Sequence, residues 1–123
     1  LMANEKRNHP RPSACVPQAS ATSAGGAAAT FTFADPGDGY SIVVGSVSWS
    51  YDTTPTGGAI TVSDGTTSIS HKVSAAGPNS ITFNPPLLFA DTTAVTVVAA
   101  AGGGAVIATA HGCGYKQLAG QTE

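Results

Sequence analysis

Charged residues are scarce in this 123-residue chain. Lysine, arginine, aspartate and glutamate together make up 10% of it, against about 25% in an average soluble domain. The formal net charge of -2 indicates neither a nucleic acid nor an anionic membrane as a partner. A surface so poor in charge must rely on other polar groups or be covered by other protein. This shortage is the first indication of a component of an assembly.

Long apolar runs and a secretory leader are missing as well. No apolar stretch approaches the ~20 residues that a membrane-spanning helix needs, and the N-terminus lacks a basic segment followed by an apolar one. We therefore expect synthesis in a cytoplasm and no membrane partner. The two cysteines, Cys15 and Cys113, are too few and too far apart for a disulfide framework. They are predicted to be free thiols.

Residues 1–27 differ in composition from the rest of the chain. They contain three of the five basic residues, together with prolines and a run of serine, threonine, alanine and glycine, and no aromatic residue. Such a segment buries too little apolar surface to offset the entropy of ordering it. We predict an extended, flexible N-terminal arm, which either has no role or becomes ordered on a neighbouring subunit. Its basic residues are Lys6, Arg7 and Arg11.

Residues 28–116 read as short strands separated by turns, and residues 117–123 as a C-terminal tail. Asp64-Gly65, between two alternating runs, is a strong hairpin signal. Nowhere do apolar residues recur with a helical period behind a capping residue. Turns every 8–12 residues are typical of a sandwich or barrel. We predict an all-β, antiparallel β-sandwich of jelly-roll or immunoglobulin-like type, with seven to eight strands.

The run at residues 40–52 is the strongest strand, and its alternation slips by one residue at Gly45-Ser46. A β-bulge produces such a slip and lets both halves of one long strand face a core. Before the slip, one alternation phase consists of Tyr40, Ile42 and Val44. After the slip, the other phase consists of Val47, Trp49 and Tyr51.

The last two predicted strands, residues 92–101 and 105–115, are joined by a triple-glycine turn and are expected to form a hairpin. Both faces of the final strand carry small or apolar residues. One face would lie in the sandwich core. The other face is either a subunit contact or the second face of a fully buried central strand.

Catalytic and metal-binding patterns are not evident. The sequence has three histidines but no Gly-x-Ser-x-Gly nucleophile elbow. The histidines are His9, His71 and His111. His111 and Cys113 share one strand face, but zinc needs three or four ligands. We favour the interpretation of His111 as a packed strand residue. A metal site formed by His111 side chains of several subunits around a symmetry axis is the alternative. The aspartates fall at strand ends and turns, where their side chains cap backbone amides. We expect no enzyme activity, catalytic residue, metal or cofactor.

Trp49 and Tyr51 share a strand face with Val47, and two interpretations remain open for them. An exposed aromatic pair could stack sugars or bases. Core packing is favoured because Val47 lies on the same face.

The order of turns and strands resembles small β-sandwich virion proteins of tailed bacteriophages, namely head decoration (cement) proteins and related head-fibre or minor structural proteins. The resemblance spans residues 28–116. It is carried by a glycine-rich turn and alternating strand at residues 37–44, Gly-Ala-Ile-Thr-Val-Ser-Asp-Gly-Thr-Thr at residues 58–67, Phe-Asn-Pro-Pro-Leu at residues 83–87, a valine-rich strand, and the closing Gly112-Cys113-Gly114-Tyr115.

This resemblance implies a structural protein on the outer surface of a capsid, made in the host cytoplasm. Such proteins often form trimers and bridge copies of the major capsid protein, which stabilises the head. Lys6, Arg7 and Arg11 would then bind an acidic capsid surface rather than DNA, since three charges give a weak phosphate footprint. A carbohydrate-binding or host-adhesion module of a fibre or tail is the main alternative. An immunoglobulin-like or fibronectin-type module and an enzyme are further ones.

Overall fold

The computed structural model describes residues 17–118, with side chains from Ala21 onward. Every regular element in this range is a strand, so the described residues contain no helix that could cross a membrane. The strands are β1 Pro17–Thr22, β2 Ala29–Phe33, β3 Tyr40–Tyr51, β4 Gly58–Ser63, β5 Ser68–Val73, β6 Gly77–Asp91, β7 Val95–Ala99 and β8 Ala108–Leu118.

The eight strands form two antiparallel four-stranded sheets. The first sheet has the order β1-β8-β3-β6, and the second has the order β2-β7-β4-β5. Successive strands therefore alternate between sheets except at the β4–β5 hairpin, and the first and last strands are neighbours. This eight-stranded, two-sheet arrangement is a jelly-roll. The predicted all-β sandwich is confirmed, and the strand order decides for the jelly-roll over the immunoglobulin-like alternative.

The inner faces of the two sheets form one apolar core. Alternate residues of β2, β4 and β7 are buried, as period-two patterning requires. The core includes Phe31 and Phe33, whose rings meet edge to face with centroids 5.5 Å apart. β8 contributes only small residues, because Gly112 and Gly114 lie against those two rings. A Cβ at Gly114 would lie 2.8 Å from the Val43 carbonyl oxygen.

The predicted bulge in the long strand is confirmed. The pairing of β3 with both of its neighbours shifts between Val44 and Ser46. Ile42 and Val44 enter the core before the shift, whereas Val47 and Trp49 enter it afterwards. The bulge thereby reverses which alternation phase faces outward, and the two halves of the outer face carry different side chains.

One expectation about strand partners was wrong. The final two strands do not form a hairpin: β7 lies in the second sheet and β8 in the first, and the segment containing the triple glycine crosses between them. The residues on both sides of Pro85 belong to one strand, β6, which is the edge of its sheet. An edge accommodates the prolines of β6, which lack an N–H to donate.

The sandwich begins earlier than the sequence indicated. Residues 17–22, assigned to the arm, form β1 and pair with β8. The backbone of β8 offers hydrogen bonds to an extended neighbour, and β1 takes them up. Residues 1–16 of the predicted arm, with Lys6, Arg7 and Arg11, lie outside the described residues, as do residues 119–123 of the predicted tail.

Cys113 is disulfide-bonded, which corrects the expectation of free thiols. The only other cysteine of the sequence, Cys15, lies outside the described residues. Separation along the sequence does not exclude a disulfide, because folding brings distant parts of a chain together.

Candidate functional site

The outer face of the first sheet is the candidate site, and the bulge at Gly45 divides it into two regions. On the side of residues 46–51, the outward positions of β3 are serines. On the side of residues 40–44, they are Ser41 and Val43. One strand therefore presents a hydroxyl-bearing surface at one end of the sheet and a largely apolar one at the other.

The first region is an open groove of about 510 Å³. Most of its lining surface is apolar, and we call it the polar groove after the hydroxyl and imidazole groups that stand in that lining. Its side chains come from three adjacent strands: Ser48 of β3 is opposite His111 of β8, and Ser50 is opposite Thr109. No lysine, arginine, aspartate or glutamate of residues 17–118 lines it. Its lining residues are Ser48, Trp49, Ser50, Pro78, Asn79, Ser80, Thr109 and His111.

The hydrogen-bonding groups of the polar groove are not used internally. Within residues 17–118, the side chains of Ser48, Ser50, Thr109 and His111 make no hydrogen bond. The outer face of the β4–β5 hairpin in the second sheet behaves differently, since its hydroxyls pair across the two strands. Thr61 Oγ1 and Ser70 Oγ are 2.9 Å apart there.

The second region is an apolar row formed by Leu88, Val43 and Tyr115 on β6, β3 and β8. Val43 is 4% exposed although it points away from the core, while Leu88 is 58% exposed. The Tyr115 hydroxyl is buried and has no hydrogen-bond partner among the described residues. An outward-facing leucine beside a buried valine is apolar surface that a partner could cover.

Asp64 holds the β4–β5 hairpin and ties it to the first sheet. Its carboxylate accepts hydrogen bonds from the N–H groups of Thr67 at 2.7 Å and Thr66 at 2.9 Å, and from that of Ala90 at 3.3 Å. These bonds, that of Thr67 first, lower the pKa of the Asp64 carboxyl. The predicted turn role of this aspartate is confirmed.

Trp49 and Tyr51 pack in the core, as favoured from the sequence, with exposures of 7% and 1%. The Tyr51 hydroxyl donates a 2.6 Å hydrogen bond to the Ala100 carbonyl oxygen, and burial raises the pKa of this phenol. The rings of Trp49 and Tyr51 therefore do not form an exposed platform that could stack sugars.

The side chains considered as metal ligands from the sequence do not form a cluster within the described part of the chain. No group of three or more histidine, cysteine, aspartate or glutamate side chains within residues 17–118 could hold a metal ion. His71 lies exposed on the edge strand β5, His111 lines the polar groove, and Cys113 is already in a disulfide. His9 lies outside the described residues.

Sequence reasoning missed the polar groove and the apolar row. Alternating serines at Ser46, Ser48 and Ser50 were a visible signal, but both sheets carry such hydroxyls on their outer faces. Leu88 follows Leu87 and precedes Phe89 in an unbroken apolar run, which hides the fact that it alone is strongly exposed.

No protein-family model and no curated protein matches the chain. Solved structures with a similar fold include TmCBM61 in complex with β-1,4-galactotriose, at 14% identity and a TM-score of 0.42, covering 96% of this chain and 79% of that one. Another is the extra small virus particle of the giant freshwater prawn Macrobrachium rosenbergii, at 13% identity and a TM-score of 0.32, covering 87% and 86%. A third is the carbohydrate-binding module CBM36 with calcium and xylotriose, at 7% identity and a TM-score of 0.34, covering 84% and 93%.

Proposed function

We propose that this jelly-roll protein is a structural subunit of a virion, a capsid decoration protein that binds the outside of the major capsid lattice and has no enzyme activity. The observation that carries the proposal is the apolar row, because it leaves an exposed leucine on an outer sheet face. A monomer gains nothing by keeping Leu88 in water, whereas a subunit contact buries it.

The apolar row is assigned to self-association, with three copies as the proposed oligomer. It lies on one rigid sheet, so a partner copy can meet a preformed surface at little entropic cost. The low charge of the surface around it supports the same use, since charged residues are depleted in interface cores. A trimer would present three equal attachment points to a capsid.

Attachment to the major capsid protein is assigned to the N-terminal residues Lys6, Arg7 and Arg11. Charge supports this division of roles. Residues 17–118 carry two lysines against five aspartates, a net charge of -3, while residues 1–16 carry three basic residues against one glutamate. The sandwich thus does not attract acidic capsid surface, and the N-terminal segment does.

The test is co-sedimentation of the purified protein with capsids assembled from the major capsid protein of the same virus. Wild type is expected to sediment with the capsids, to saturate, and to raise their thermal disruption temperature. A variant lacking residues 1–14 keeps both cysteines and β1, and is expected to lose most of this binding. Wild type that stays in the supernatant at every concentration would contradict the decoration role.

A further inference from the structure

The polar groove is not used by the assembly role. We propose that it is a binding site for a neutral oligosaccharide, a second function that is independent of capsid attachment. The groove volume of about 510 Å³ falls within the range of small-molecule sites, roughly 300–1,000 Å³. It is an open surface groove, which suits a short chain of sugar rings entering from the side.

The chemistry of the lining decides the class of ligand. Three hydroxyls, of Ser48, Ser50 and Thr109, each offer one donor and two acceptor lone pairs, and the His111 ring adds further hydrogen-bonding capacity. A sugar offers the same mixture of donors and acceptors. An apolar ligand would bury these groups unsatisfied, which is costly.

The absence of charge in the lining excludes other polar ligands. Among the described residues, no lysine, arginine, aspartate or glutamate lines the groove, so an anionic or cationic ligand would lose its hydration without gaining a partner charge from them. A neutral polyhydroxylated ligand requires no such partner.

The unused state of these groups distinguishes the groove from the outer face of the β4–β5 hairpin. On the second sheet, Thr61 pairs with Ser70 and Ser63 pairs with Ser68 at 2.8 Å. The groove side chains make no such bonds within the described part of the chain. They project from β3 and β8, the two central strands of the first sheet. They are therefore free to bind a ligand and are held on a rigid support.

Trp49 adds a further feature. It packs in the core but also lines the groove. Its indole N–H makes no hydrogen bond within residues 17–118. The edge of the site is formed by Pro78 and Ser80 of β6, the edge strand.

The experiment is a titration of the full-length, isotope-labelled protein by nuclear magnetic resonance. The probes are neutral trisaccharides of glucose, galactose, xylose and N-acetylglucosamine, each at up to about 10 mM, well above a millimolar Kd. With at least one of them, the backbone amides of Ser48–Ser50 and Thr109–His111 are expected to shift. The amides of Thr61 and Ser70 are expected to stay in place.

Matched variants test the groups themselves. The double variant Ser48→Ala with Thr109→Val keeps the shape of the sheet and removes two hydroxyls. Its Kd for the binding trisaccharide is expected to rise about tenfold or more. The control, Thr61→Val with Ser70→Ala, removes two hydroxyls from the second sheet and is expected to bind as wild type does.

Several results would overturn the proposal. One is that no trisaccharide shifts the groove amides of the wild-type protein, a result that does not depend on any variant folding. Another is that a trisaccharide of glucuronic acid binds more tightly than its glucose counterpart. A third is that the groove amides shift with protein concentration alone, which would assign this face to a second copy of the chain.

Discussion

The Tyr51 hydroxyl donates a 2.6 Å hydrogen bond to the carbonyl oxygen of Ala100, so that a side chain of the first sheet bonds the backbone at the end of β7 in the second. The Tyr51 ring is buried between the sheets. This bond connects the two layers at the end of the sandwich that also holds the crossing segment before β8. The core packing of Tyr51 therefore has a polar component that a phenylalanine would lack.

Tyr51→Phe keeps the ring and removes this bond. The free energy of unfolding is expected to fall by about 0.5–1.5 kcal/mol, the net value of one neutral hydrogen bond. Urea unfolding at neutral pH measures it. Tyr40→Phe is the control, since the Tyr40 hydroxyl makes no hydrogen bond within residues 17–118. An unchanged midpoint in Tyr51→Phe would show that the bond between the sheets contributes nothing.

Tyr51→Phe is also expected to change how the free energy of unfolding depends on pH in the alkaline range. Because burial raises the pKa of Tyr51 in the folded protein, the unfolded chain ionises first as the pH passes about 10. The contribution of Tyr51 to the free energy of unfolding is fully present below that pH and decreases above it. Tyr51→Phe is expected to show a shallower fall between about pH 9 and pH 11, and equal slopes would rule out Tyr51 as the cause.

Gly114 and Gly45 provide a matched pair of glycine substitutions. A Cβ at Gly114 meets the Val43 carbonyl oxygen at 2.8 Å and the Phe33 ring at 3.1 Å, whereas at Gly45 the nearest atom is 3.8 Å away. Gly114→Ala is expected to destabilise by about 1–3 kcal/mol through overpacking. Gly45→Ala is expected to be neutral or to stabilise by up to about 1 kcal/mol. Thermal unfolding of both variants is the check, and equal effects would refute the close approach at Gly114.

Asp64 makes the stability of the fold depend on pH in the acid range. Its pKa is lowered in the folded protein by backbone hydrogen bonds, so its contribution is present above the unfolded value near 3.8 and is lost as the pH falls through the folded one. Asp64→Ala is expected to lower the unfolding temperature at pH 7 and to flatten the acid limb.

The control for this variant is Asp38→Ala. The carboxylate of Asp38 is exposed and makes no hydrogen bond within the described range. Its removal is expected to leave both the unfolding temperature and the acid limb close to those of wild type. If the two variants behave alike, the hairpin anchor at Ala90 is not what stabilises this end of the sandwich.

The disulfide of Cys113 is expected to stabilise the fold by about 2–4 kcal/mol. Urea unfolding with and without dithiothreitol measures this contribution. The variant Cys113→Ala should match the reduced protein and be insensitive to the reductant. A wild-type midpoint that does not move on complete reduction would contradict a stabilising role for the bond.

Much of the fold was predictable because local signals determine it. The Asp64-Gly65 turn, the slip at Gly45 and the burial of Trp49 each follow from a few neighbouring residues. Sheet membership did not follow, because β7 and β8 read equally well as a hairpin. β1 was missed because Gln-Ala-Ser-Ala-Thr has no apolar alternation, and its place is fixed by backbone pairing with β8.

The candidate site was less predictable than the fold. Ser50 and Thr109 resemble Thr61 and Ser70 in composition and strand position. Whether such hydroxyls pair with each other or remain unused depends on the registers of the strands and on side-chain rotamers, which no local pattern contains. The exposure of Leu88 likewise depends on the register of β6 against Val43.

The measurement that tests the central claim most directly is light scattering of wild type, Leu88→Lys and Ile107→Lys at micromolar concentration. Ile107 is the matched control, being 38% exposed and outside the apolar row. We predict a mass of three times the 12.1 kDa chain for wild type and Ile107→Lys, and a monomer for Leu88→Lys. A wild-type protein that stays monomeric, or a Leu88→Lys variant that assembles as wild type does, would contradict an assembly built on the apolar row.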